Sequence, residues 1–174
     1  MFELKEIDPT TYRRETRHIS LVIIAIFLTL AMSLAAVSVR LFGEPGGNNL
    51  IWNLAGVLTG LALTVIIVRF LFWHRPWMAP AVYAWNLKRN VMRIGNVMHH
   101  LKRRVEDNDP DAIRLLRFYH LALNQMYRLD NNVDGLNGLL ADQEALRAKM
   151  VELGLPTEQH RFDPDSLAAM KLDD

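Results

Sequence analysis

One short run has the residue types and spacing to hold a cation. Asp130-x-Asn132-x-Asp134-Gly135 repeats the opening half of an EF-hand loop, in which oxygens at alternate positions wrap a calcium ion and the glycine makes the turn. Such a loop needs a bidentate glutamate at its twelfth position, and Ala141 stands there. Asn137 occupies the eighth position, where an apolar residue would join a partner loop. The competing expectation is a turn between two helices, with Asn132 or Asp134 capping the second. The histidines are His18, His74, His99, His100, His120 and His160, and no two have the i,i+4 spacing that puts two ligands on one helix face. His120 is expected to face the preceding helix across a bundle. The sequence holds no phosphate-cradling glycine loop, no G-x-S-x-G elbow and no H-E-x-x-H. It also has no cysteine, which excludes disulfides, thiolate metal sites and cysteine nucleophiles. The residues thus point to a non-enzymatic protein without a cofactor, and to calcium only as a weak alternative.

The elements around this run divide sharply by polarity. Overall the 174 residues are 51% hydrophobic and 22% charged, an average that hides the segregation of apolar residues into the first half. Residues 19–39 and 50–68 contain no charged side chain. A bilayer core needs about 20 apolar residues at about 1.5 Å of rise each, and both runs meet that length. The expectation is therefore two transmembrane helices; a cleaved signal peptide ending near Ser33 and Ala35 is disfavoured by the long preceding segment and the second run. Gly43 to Asn49 is short and rich in turn formers, so the two helices should form a hairpin. Lys5, Arg13, Arg14 and Arg17 precede the first run, while Arg69, Arg75, Lys88 and Arg89 follow the second. Only Arg40 lies near the loop, so the positive-inside rule places both termini in the cytoplasm. Gly56 and Gly60 form a GxxxG pair, and Ala31 and Ala35 offer a matching small surface. These residues serve either a dimer face or the contact between the two spans. The spans hold no acidic residue and no histidine, which argues against a proton relay or transporter acting alone.

Trp52, Trp73, Trp77, Tyr83 and Trp85 are expected at the headgroup level, because their rings are apolar with one polar edge. Pro76 and Pro80 should turn the chain there, as an interfacial elbow. At the other end Asp8 and Pro9 read as a helix start that runs on into the first span.

Beyond the elbow the apolar spacing becomes that of packed helices. Leu87, Val91, Ile94, Met98, Leu101 and Val105 are spaced four, three, four, three and four, which predicts one helix with a narrow seam for a bundle or a partner. Asp109-Pro110 should start a second helix, with Ala112, Leu116, Tyr119, Leu123 and Met126 along its stripe and Leu115, Ala122 and Leu129 widening it. A third helix should carry Leu139, Leu146, Met150 and Leu153, be sparse at Gln143, and end at Gly154. The remaining tail should be polar and extended, with a short helix near residues 165–172. Residues 74–130 hold ten Lys and Arg against five Asp and Glu, and residues 131–174 hold four against nine. Basic residues near a membrane can attract anionic lipid, but mutual neutralisation and positive-inside bias account for most of this asymmetry. The formal net charge of +1 argues against a nucleic-acid partner.

The fold class so read is all-α: a two-span transmembrane hairpin followed by a cytoplasmic antiparallel helical bundle. The corresponding regions are a cytoplasmic segment 1–18, spans 19–42 and 50–73 around a periplasmic loop 43–49, an elbow 74–86, a helical domain 87–153 and a polar tail 154–174. Phe42-Gly43-Glu44-Pro45-Gly46-Gly47, Trp52-Asn53-Leu54-Ala55-Gly56, Pro76-Trp77-Met78, Leu87-Lys88-Arg89 and Leu116-Arg117-Phe118-Tyr119-His120-Leu121 together resemble a bacterial membrane-protein family, domain of unknown function 3087. The resemblance covers almost the whole chain. It implies a bacterial inner-membrane location and supplies no activity or catalytic residue. The leading functional expectation is a membrane-anchored scaffold, adaptor or complex subunit that binds the bilayer and either another copy or a membrane-protein partner. The alternatives are a small channel-like or transport-accessory homo-oligomer, and a weak calcium or anionic-lipid sensor.

Overall fold

A computed structural model describes residues 1–165 and 167. The chain is mostly helical. Helix α1 spans Pro9–Phe42, α2 Leu50–Ile67, α3 Ala79–Gly95, α4 Met98–Glu106, α5 Pro110–Asp130 and α6 Val133–Glu152. Two short strands, β1 (Phe2–Glu3) and β2 (Arg161–Phe162), pair antiparallel with Phe2 opposite Phe162. The chain divides into two compact units, Arg14–Val82 and a second made of Met1–Arg13 with the chain from Tyr83 on.

In the first unit, two helices are long and apolar enough to cross a membrane. Only 6% of the apolar window of α1 and 17% of that of the second helix is buried, the reverse of a soluble core helix. The hydroxyls in these helices bond to carbonyls one turn back: Thr29 to Ala25, Thr59 to Ala55 and Thr64 to Gly60, each at 2.8 Å. No polar side-chain group among these three depends on water, as an apolar solvent requires. The connection is closed by Asn49, whose side chain donates to Glu44 O at 3.1 Å and accepts from Glu44 N at 3.0 Å. Gly46 turns it at φ +76, a left-handed conformation that glycine takes without steric cost. The second apolar helix continues from α2 through one π-helical turn, Val68–Phe72, giving 23 residues in all.

In the second unit the Asp8 carboxylate accepts from Thr11 N at 2.8 Å and starts α1 at Pro9. Those bonds, the one from the Thr10 hydroxyl foremost, hold the Asp8 carboxyl well below the usual carboxylate range. Asp109 starts α5 in the same way, accepting from Asp111 N at 2.9 Å. Although burial raises the Asp109 pKa, bonds from Asp111 N and Arg104 outweigh it and lower it overall. Asn131 closes α5 at φ +57. Helix α6 ends where Gly154 turns left-handed and Leu155 N reaches back to Met150 O at 2.8 Å.

The expected single helix through residues 87–105 is two helices. The chain leaves the helix at Gly95 and re-enters at Met98, so Val97 takes the core position that a continuous 3-4 repeat assigns to Met98. Gly95 has open space around it and little helix propensity, which makes the break cheap. The core of this unit is formed by Leu87, Ile94, Leu101, Ile113, Phe118 and Met150, all essentially inaccessible. Leu153, assigned to the third stripe, is instead 41% exposed.

The two termini differ from the sequence expectation. The first residues pair with the tail, and both pack against the core. Phe2 stacks on Tyr83 at 5.6 Å and meets Phe118 edge-on at 6.4 Å, while Phe162 stacks on Phe118 at 5.1 Å. The buried Arg117 donates to Thr157 O at 2.8 Å and pins the returning tail; burial lowers its pKa. The short helix expected over residues 165–172 lies largely outside the described residues.

Candidate functional site

The Asp130–Gly135 run forms a helix-to-helix turn. Asp130 pairs with Lys88 Nζ at 2.9 Å. Asn132 is the cap of α6, its side-chain oxygen accepting from Gly135 N at 2.9 Å. Asp134 lies in the first turn of α6, exposed, where a negative charge complements the helix dipole. The run Asp130, Asn132, Asp134 thus forms a capping turn in which the Asp130 carboxylate meets Lys88 and the Asn132 oxygen a backbone N–H. No group of three or more His, Asp or Glu able to hold a metal exists among the described residues.

The small residues of the two apolar helices meet one another. A Cβ added to Gly56 would lie 2.4 Å from Ala35 Cα, and one added to Gly60 would lie 2.7 Å from Ala31 Cα. These are backbone-to-backbone approaches, closer than any side chain allows, so α1 and α2 pack through this face. Gly56, Gly60 and Ala31 are all buried there. Gly56 and Gly60 thus serve the contact between the two helices of one chain.

The aromatic residues separate into two groups. Trp52 stacks on Phe42 at 5.1 Å beside the connection, Trp77 meets Phe72 edge-on at 5.3 Å, and the Arg69 guanidinium sits 4.8 Å above the Trp73 ring. Tyr83 does not join a surface belt. It is buried in the second unit, where its hydroxyl donates to Gln125 Oε1 at 2.6 Å and accepts from Lys5 N at 3.0 Å. Burial raises its pKa despite these bonds. Trp85 is 59% exposed, two residues further along α3 on another face. The elbow is also shorter than expected. Arg75 is extended before Pro76, as the residue before proline must be, whereas Pro80 falls in the first turn of α3 and breaks nothing.

The seam residues Leu87, Val91, Ile94 and Leu101 are buried inside the second unit, and Met98 and Val105 are half-buried against them. The seam is thus core and leaves no free stripe for a partner. His120 is buried as well, and burial lowers its pKa. Its backbone oxygen accepts from Gln143 Nε2 at 3.0 Å, so the polar residue that thinned the third stripe ties α6 to α5. Arg117, Phe118, Val97, Phe2 and Phe162 were not singled out by spacing. Phe2 and Phe162 could have been noted only as isolated aromatics in polar terminal segments.

No curated protein and no solved structure matches the chain significantly. Residues 2–167 match the family model described as protein of unknown function (DUF3087), and the chain belongs to that family.

Proposed function

We propose that this chain is a two-span bacterial inner-membrane protein with both termini cytoplasmic, acting as a non-enzymatic anchor whose helical unit docks a protein partner. One observation carries the membrane part. The two apolar helices pack through glycine and alanine and turn their large side chains outward, leaving Leu21, Leu28, Leu54, Leu58 and Val65 more than half exposed. Such a surface is stable in lipid and aggregates in water. The bias of Lys and Arg to the flanks of the pair, away from the Gly43–Asn49 connection, supports cytoplasmic termini. Exposed Val133, Leu140 and Val151 on α6 support partner docking, since α6 commits Leu139, Leu146 and Met150 to the core and still presents apolar residues outward. A pore assembled through GxxxG is the weaker reading, because Gly56 and Gly60 are already occupied by Ala35 and Ala31.

The chain has no cysteine, so single cysteines can be introduced and labelled without background. Cysteines at Asn48 and at Gln159 should react from opposite faces of the inner membrane, with Gln159 protected in intact cells. Equal labelling of both by an impermeant reagent in intact cells would overturn the topology. Gentle extraction followed by mass spectrometry should then recover one protein in fixed ratio, and that ratio should fall with Leu140→Glu. Recovery of this chain alone, in every detergent that keeps it folded, would overturn the adaptor reading.

A further inference from the structure

Helices α4, α5 and α6 line an open cleft of about 460 Å³. That is within the range of small-molecule sites, roughly 300–1,000 Å³. Most of its wall is apolar, from Met98, Val105, Leu116, Leu123, Leu139 and Leu146. His120 faces it, only 6% exposed, and Nδ1 of its ring is a buried side-chain atom with no hydrogen-bond partner among the described residues. A buried polar atom left unpaired costs stability, so its retention calls for a partner. Two nearby polar side chains already have theirs: Gln143 bonds His120 O, and Asn124 reaches Gln143 Oε1 at 3.5 Å.

The charges around the cleft favour an anion. Lys102 and Lys149 line it against one carboxylate, Asp142. Lys149 is held in place by donating to Val105 O at 2.5 Å. Lys102 makes no ion pair among the described residues. Burial lowers the imidazole pKa and so favours the neutral ring; Asp142 opposes this, and Arg117 and Lys102 reinforce it. A neutral imidazole protonated on Nδ1 is a donor there.

We propose that this cleft binds a small organic anion with an apolar body, its carboxylate pairing with Lys102 and accepting from His120 Nδ1 once the buried imidazole turns toward it, while the body fills the wall. The inference does not depend on how the apolar helices sit in a membrane. It is tested on the full chain in lipid nanodiscs with phenylbutyrate as probe and its uncharged amide, phenylbutyramide, as control. Histidine ring-nitrogen NMR reads the site, with the His120 signal identified by its loss in His120→Phe. Phenylbutyrate should shift that signal saturably, and the amide should bind about ten-fold more weakly, as should the acid to Lys102→Gln. Ala145→Trp, at an exposed position on the rim, should abolish the shift without altering the helical content. No saturable shift would overturn the site. Equal binding of acid and amide would overturn its anion preference, and unchanged affinity in His120→Phe, read by equilibrium dialysis, would overturn the role of the orphan nitrogen.

Discussion

The two units solve helix packing in opposite ways. In Arg14–Val82 the smallest residues face inward and the largest apolar ones outward, so the contact rests on close backbone approach at Gly56 and Gly60. In the other unit Phe118, Leu101, Ile94 and Met150 face inward, and the contact rests on removing apolar area from water. What differs is the solvent each surface suits. Where lipid-like surface is presented outward, hydrophobicity cannot select partners, and shape does; where water surrounds the helices, volume buried does. The same class of substitution should therefore have opposite effects in the two units.

The largest effect is expected for Gly56→Leu. The new side chain would strike backbone atoms of Ala35 and Leu34 within 2.7 Å, and backbone cannot rotate away. The cost should exceed the roughly 1–3 kcal/mol typical of overpacking between side chains. Cysteines in place of Ile24 and Leu61, half-exposed residues that line one groove between the two helices, would report it: their cross-link by a short bis-maleimide, efficient in the parent, should be lost in Gly56→Leu. An undiminished cross-link would mean that the helices do not need this approach. Adding volume is thus the damaging change in the first unit.

Removing volume is the damaging change in the second. Phe118 is 1% exposed and lies between Phe2 and Phe162. Phe118→Ala should cost about 3–5 kcal/mol, the range for emptying a buried aromatic site. It should also release the paired termini, which limited proteolysis would detect as new cleavage near Phe2 and Phe162. Destabilisation without new cleavage would show that the strands hold independently of the aromatic stack.

The parts of this contrast that were legible in the sequence share a property: two local signals coincide. Asp8-Pro9 and Asp109-Pro110 each supply a cap and a first-turn proline, and each starts a helix. Gly154 beside Pro156 marks a helix end for the same reason. The uncharged runs were legible because length and composition alone define them. Phe2 and Phe162 carry no periodicity, and nothing local tells one end of the chain that it will meet the other. The break at Gly95 was hidden because Ile94, Val97, Met98 and Leu101 fit both a continuous and an interrupted helix. At the candidate calcium loop, composition was read correctly and geometry could not be: a cap and a cation loop demand the same oxygens, and only their directions distinguish them. The cleft at His120 was invisible for a further reason, since an orphan nitrogen is defined by what fails to surround it.

The buried histidine makes the second unit sensitive to pH. Its folded pKa lies below the ordinary 6.5 because burial disfavours the charged ring. The unfolded chain therefore takes up a proton first as pH falls, and stability is full above about 6.5 and declines below it toward the depressed folded value. His120→Phe should flatten that decline, as read by thermal unfolding of this unit between neutral and mildly acidic pH. An equally steep decline in the variant would assign the sensitivity to other groups.

The smallest effects sharpen the comparison through glycine and the capping turn. Gly138 lies inside α6 with nothing near its would-be Cβ, in contrast to Gly56. Gly138→Ala should stabilise by roughly 0.5–1 kcal/mol through chain entropy alone. Asn132→Ala should cost about 1 kcal/mol by removing the α6 cap, because Gly135 N then loses its partner. Denaturant unfolding would measure both, with and without added calcium. Since Asn132 bonds to backbone and Asp130 to Lys88, calcium should change neither the parent nor the variant. Stabilisation of the parent by calcium, lost in Asn132→Ala, would return the turn to the class of cation sites. It would also show that the side chains of Asp130 and Asn132 leave their partners when an ion is present.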